Sequence, residues 1–180
     1  MYALLLIDFQ RDFLAAEGRM SLGAKQAENL IVLANGLINY FENHKYLVIF
    51  IGNEFGKTDF VGNLFRRFAA IKGSNGSQLD PRIKGEGYPY FPKSKSDAFS
   101  NPNLDIYLKK HGVGTIYLCG VYTEGCIRAT AISAKKKGYQ VSLLVDAVSS
   151  NRKFKHDWAL RYLSKRGVTL VSSEHLFTQP

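Results

Sequence analysis

The sequence predicts an α/β protein: a three-layer αβα arrangement around a doubly wound, mostly parallel sheet of six strands. Two observations predict it. Apolar strand runs alternate with helical patterns along the chain, as in strand–helix–strand units joined by right-handed crossovers. The strand runs are also almost continuously apolar, which requires both faces of the sheet to be covered.

Each element has its own signal. Tyr2 to Ile7 is an apolar run ending at Asp8 and reads as a buried strand. From Ala24 to Asn43 the apolar residues Ala27, Leu30, Ile31, Leu33, Ala34, Leu37, Ile38 and Phe41 recur at helical spacing. Tyr46 to Ile51 is the next strand. Residues 52–87 are rich in Gly, Lys and Asn and show one short helical stretch, Val61 to Ala70. Tyr88 to Phe91 reads as a short strand, and Asn103 to His111 as a helix stopped by Gly112. Thr115 to Cys119 is a strand ending at Gly120. A helix from Gly125 to Lys137 is closed by Gly138. Gln140 to Val145 is a strand followed by a loop, Asp146-Ala147-Val148-Ser149-Ser150. Lys153 to Ser164 is the last long helix and Val168 to Val171 the last strand.

Composition narrows the function classes. The 180 residues suit one domain, expected to span 1–180, with no repeat or linker. No apolar run reaches the ~20 residues of a membrane helix, and the N-terminus lacks the basic start of a signal peptide. We expect a cytoplasmic protein with no membrane partner. Two cysteines, Cys119 and Cys126, make no disulfide framework. The formal charge of +9 comes from scattered residues. The densest run, Lys135-Lys136-Lys137, reads as a helix end, where cations suit the dipole. We therefore expect no nucleic-acid partner. Gly52-Asn53-Glu54-Phe55-Gly56-Lys57-Thr58 imitates a phosphate-binding loop but is one residue short between its glycines.

In doubly wound sheets ligands bind outside the carboxyl ends of the strands. That rule singles out Asp8, the segment near Lys93, and Gly120 to Cys126. Cys126 follows a strand and a tight loop, with Thr123 as expected N-cap. A thiol in a first helical turn is expected to have its pKa lowered by the backbone N–H groups and the dipole. Those N–H groups can also hold an oxyanion. Its plain alternative is a small buried hydrophobe, the reading taken for Cys119. Asp8 ends a central strand, and a buried carboxylate needs a partner. Lys93 and Lys95 are equal candidates from spacing alone.

Leu5-Leu6-Ile7-Asp8-Phe9-Gln10-Arg11-Asp12-Phe13, Lys93-Ser94-Lys95-Ser96-Asp97-Ala98-Phe99 and Gly120-Val121-Tyr122-Thr123-Glu124-Gly125-Cys126-Ile127-Arg128-Ala129-Thr130 stand in this order along the chain. Together with the Asp146 to Ser150 segment they resemble the isochorismatase-like cysteine hydrolases, which include nicotinamidases and N-carbamoylsarcosine amidases. The resemblance covers nearly the whole chain and implies the isochorismatase-like hydrolase fold. It selects Lys93 over Lys95 and implies a catalytic triad of Asp8, Lys93 and Cys126. It further implies a cis peptide between Val121 and Tyr122, and an oxyanion hole from the Tyr122 and Cys126 amides. The reaction it implies is cleavage of the C–N bond of a small amide or ureido compound through a thioester. Relatives commonly form dimers or tetramers, so a homo-oligomer is expected. Phe13, Phe55, Phe99 and Tyr122 are the expected pocket walls.

The pattern departs from nicotinamidases after the second strand. There the family places an Asp-x-His and further histidines around a metal, whereas this chain reads Ile51-Gly52-Asn53-Glu54-Phe55-Gly56-Lys57. His44, His111, His156 and His175 lack metal-ligand spacing. No metal and no other cofactor are expected, and Glu54 reads as a solvated loop acid. Three other readings stay open: nicotinamidase proper with an atypical metal site, a non-enzymatic basic nucleotide- or nucleic-acid-binding domain, and a thiol redox protein pairing Cys126 with Cys119.

Overall fold

The structure, a computed structural model, describes residues 1–178. Its strands are β1 (Tyr2–Ile7), β2 (Leu47–Asn53), β3 (Tyr90–Lys93), β4 (Thr115–Val121), β5 (Gln140–Ser149) and β6 (Thr169–Val171). They form one sheet in the order β3-β2-β1-β4-β5-β6. Every neighbouring pair is parallel. The helices are α1 (Arg11–Leu14), α2 (Ala24–Asn43), α3 (Phe60–Phe65), α4 (Pro102–Lys110), α5 (Arg128–Lys136), α6 (Lys153–Ser164) and α7 (Ser173–Phe177).

Strand alternation divides the core. Leu4 and Leu6 of β1 point to the layer holding α2 and α7, while Ala3, Leu5 and Ile7 point to the layer of α4, α5 and α6. In α2, Ala27, Leu30, Ile31, Ala34, Leu37, Ile38 and Phe41 are buried as their spacing requires, while Leu33 sits at the edge of the stripe and is only partly buried. Truncating Leu37 or Ile38 to alanine removes a fully buried side chain, a loss of ~2–5 kcal/mol.

The boundaries that move have local causes. The helix expected over 61–70 is α3, Phe60–Phe65, begun by Asp59, whose Oδ1 accepts from the Gly62 N–H at 3.1 Å. It stops because Arg67, Phe68 and Ala70 have φ of 51°, 58° and 52°, outside the helical region. The third strand runs later than expected, through Pro92 to Lys93. It is an edge strand, where a proline costs no ladder bond on its free side. The segment Asp146 to Ser149 is strand, not loop. β5 continues past a register shift so that Val148 and Ser149 pair with Gly120 and Val121. Asp146 accepts from the Ser173 N–H at 2.9 Å and from its hydroxyl, tying the strand to α7. The helix expected from Gly125 begins only at Arg128. Thr123–Ile127 form a wider turn, broken at Gly125 by φ −103° and ψ −108°.

Candidate active site

The three singled-out segments end side by side. β1 lies between β2 and β4, and β3 lies beyond β2, so the carboxyl ends of these strands share one rim. The β2–β3 register pairs Asn53 with Lys93, which makes their side chains cross-strand neighbours. Asp8 follows β1 in the left-handed region, φ 60°, a conformation Asp tolerates better than most residues. Its N–H donates to the Ile51 carbonyl at 2.8 Å. Gly120 makes this rim possible. Its φ is +126°, and a Cβ there would stand 2.0 Å from the Ile7 carbonyl oxygen. The Val121–Tyr122 peptide is cis.

Lys93 is the hub. Its Nζ donates to Asp8 Oδ2 at 3.1 Å, Asn53 Oδ1 at 2.6 Å and Cys126 Sγ at 3.2 Å. An ammonium has three N–H donors, so all are used. Lys93 is 3% exposed, whereas Lys95 stands in solvent. Burial pulls the Lys93 ammonium down, but Asp8 and Cys126 outweigh that and hold it above the usual lysine value. Burial likewise raises the Asp8 carboxyl, against the pull of Lys93. Asp8 Oδ1 is buried, and the Cys126 thiol beside this carboxyl is a hydrogen-bond partner that favours its ionised form.

The thiol departs from expectation. Burial, with Asp8 beside it, pushes Cys126 up to about 12, and Lys93 only partly offsets this. Cys126 lies in the wide turn before α5 and not inside its first turn, so the lowering expected from the helix end does not prevail. Nor is Thr123 the N-cap. Its side chain is fully buried and its hydroxyl is 2.9 Å from His156 Nδ1. Cys119 is in the core layer opposite the one Cys126 packs against, and both thiols are free.

The aromatic residues divide. Phe13 meets the Tyr122 ring edge-on at 6.0 Å, and the Tyr122 hydroxyl donates to the Met20 carbonyl. Phe99 instead packs into the second core layer, stacked on Tyr139 at 5.9 Å with the Lys137 ammonium over its ring. Phe55 is buried in the first layer, with the Arg66 guanidinium 4.0 Å above its ring. Phe99 and Phe55 thus each have a partner within a core layer, and Cys126 packs against the layer that holds Phe99.

Asn53 joins the site without having been singled out. It is 2% exposed, touches Lys93, and its Nδ2 is 3.8 Å from Cys126 Sγ. Its place at the carboxyl end of a central strand was the available signal. Glu54 is half-buried and no plain loop acid. It lines a cavity of 560 Å³ with Lys72, Ser74, Ser77, Gln78 and Tyr90. Burial raises the Tyr90 phenol, and Glu54 and Asp8 raise it further.

An isochorismatase domain model matches residues 2–175. An isochorismatase family protein of Bacillus subtilis is 29% identical, covering 90% of this chain and 93% of its own. Among solved structures, a nicotinamidase from Bacillus subtilis superposes with a TM-score of 0.85 at 26% identity, covering 95% of this chain and 98% of its own. A pyrazinamidase of Pyrococcus horikoshii in complex with zinc gives a TM-score of 0.83 at 26% identity, with coverage of 95% and 98%.

The residues here do not fit such an ion. Zinc takes three or four His, Cys or carboxylate ligands. Among the described residues no three such side chains are grouped to hold a metal. The cavity beside Glu54 adds Lys72, a competing cation.

Proposed function

The chain belongs to the isochorismatase family and is an amidohydrolase of it; from that premise we propose that it cleaves the C–N bond of a small amide or ureido compound through a thioester on Cys126, without a metal. The observation that carries this reading is the buried Lys93 ammonium, which donates to both Asp8 and Cys126. Asp8 takes the thiol proton, and Lys93 holds the thiolate. That transfer moves a proton within the site and leaves its summed charge unchanged. The burial that raises the isolated thiol therefore does not oppose it in full. The thiolate attacks the carbonyl carbon, and the Tyr122 and Cys126 amides hold the oxyanion. Asp8 returns the proton to the departing amine or ammonia. Water, activated by the same carboxylate, then frees the acid and the thiol.

We read residues 1–180 as one domain working in a homo-oligomer. The exposed apolar residues Phe60, Val61, Leu64 and Phe65 of α3 support an assembly. The deciding experiment is an ammonia-release screen of small amides and ureido compounds, with Cys126→Ala as the blank and intact-mass analysis of the acyl-enzyme. An adduct on Cys126 is expected; one confined to Cys119 overturns the assignment. Dialysis against a chelator is expected to leave kcat unchanged, and loss of activity restored by zinc overturns metal independence.

A further inference from the structure

We infer that Asn53 is a positioning residue of this site: its side-chain carbonyl fixes the Lys93 ammonium while its amide N–H₂ faces the Cys126 sulfur and favours the thiolate. The inference rests on Cys126 as the nucleophile.

Chemistry settles which way the amide faces. An ammonium only donates, so the atom 2.6 Å from Lys93 Nζ is the carbonyl oxygen, Oδ1. The opposite orientation would set two donors against each other in a buried site. The Nδ2 group is therefore the one 3.8 Å from Cys126 Sγ. A neutral thiol accepts weakly at that distance, whereas a thiolate attracts the same N–H strongly. The contact thus strengthens as the proton leaves, which is what a group assisting the ionised state must do.

The backbone of Asn53 is clamped as well. Its N–H donates to Gln10 Oε1 at 2.8 Å, and its carbonyl accepts from Gln10 Nε2 at 2.8 Å. Gln10 is fully buried, and its Nε2 also donates to the Ser77 carbonyl at 2.7 Å. A glutamine from the segment after β1 thereby holds the end of β2, and Asn53 passes that fixed position to Lys93 and Cys126. The charged and titratable groups facing the thiol are Asp8 from the segment after β1, Lys93 from β3 and Tyr122 from its own loop.

The test is the rate at which iodoacetamide alkylates Cys126 between pH 7 and 10, with the adduct located by peptide mass. Wild type, Asn53→Asp and Asn53→Ser are compared, each checked by circular dichroism. Asn53→Asp keeps the shape and the Lys93 acceptor but puts a negative charge where the donor was. It is expected to slow alkylation at pH 8 about tenfold, the equivalent of about one pKa unit. Asn53→Ser is expected to slow it less. A merely structural role would lower melting temperature without this charge-dependent order. If wild-type Cys126 reacts and both folded variants react as fast, the Asn53 role is overturned while the nucleophile stands. If wild-type Cys126 does not react at any of these pH values, the nucleophile reading itself falls, and this inference with it.

Discussion

Lys93 and Asp8 form an ion pair whose side chains are 0% and 2% exposed, so neither charge is tolerable alone. Lys93→Met leaves the Asp8 carboxylate buried without its cation. The expected cost is about 3–5 kcal/mol, with ammonia release lost. The carboxyl of that variant is pushed further up. A raised folded pKa favours the protonated form, so its urea midpoint should climb as pH falls from 7 toward 4. A second linkage prediction concerns Cys126, raised from 9.0 to about 12. Between those values the unfolded chain releases the thiol proton and the folded chain keeps it. Stability is therefore complete below pH 9 and declines as pH rises toward 12. Melting curves from pH 8 to 11 should show this decline, shallower in Cys126→Ala. An identical slope in both proteins would refute the assignment.

Two contacts between elements can be tested directly, and the first of them places the site. The first is β1 against β4 at Gly120. Adding a methyl group there forces it onto the Ile7 carbonyl in a backbone conformation alanine avoids, so Gly120→Ala should lower stability by at least ~3 kcal/mol. Chemical denaturation measures it. The second ties α4 to the turn between α5 and β5. Asp105 of α4 accepts from Lys109 at 2.9 Å, from Lys137 at 3.1 Å and from the Tyr139 hydroxyl at 2.8 Å. Burial alone would raise this carboxyl, but these donors outweigh it and hold it at about 2. Its stabilising share is present above the unfolded value of 3.8 and is lost as pH falls from there toward 2. Asp105→Asn should flatten the acid limb of the stability curve in that window, as read by melting temperature.

At the scale of the whole molecule, surface charge and apolar exposure pull apart. The chain carries a formal +9, which opposes self-association, yet α3 presents Phe65 at 84% exposure and Val61 at 68%. If α3 seats a second copy, Phe65→Glu should shift sedimentation velocity toward the monomer while secondary structure stays intact. A monomeric wild type would remove α3 from the argument. Among the described residues no helix is long and apolar enough to cross a membrane.

Periodicity determined the alternation of the six strands with the longer helices, because apolar spacing reports which face of an element is covered; the short helices α1 and α7 left no such signal. The ends of β1 and of α2 were legible for the same reason, and the ordered motifs pointed to Asp8, Lys93 and Cys126. Local patterns did not reach further. The later start of α5 depends on Gly125 dihedrals, the length of β5 on pairing with β4, and the burial of Phe99 on Tyr139 from the distant turn before β5. Asn53 was hidden for the same cause: an asparagine at a strand end looks like any turn residue until β3 pairs beside it. Only tertiary structure decided the state of the thiol, because burial and neighbouring charge are set by chain segments far apart in sequence.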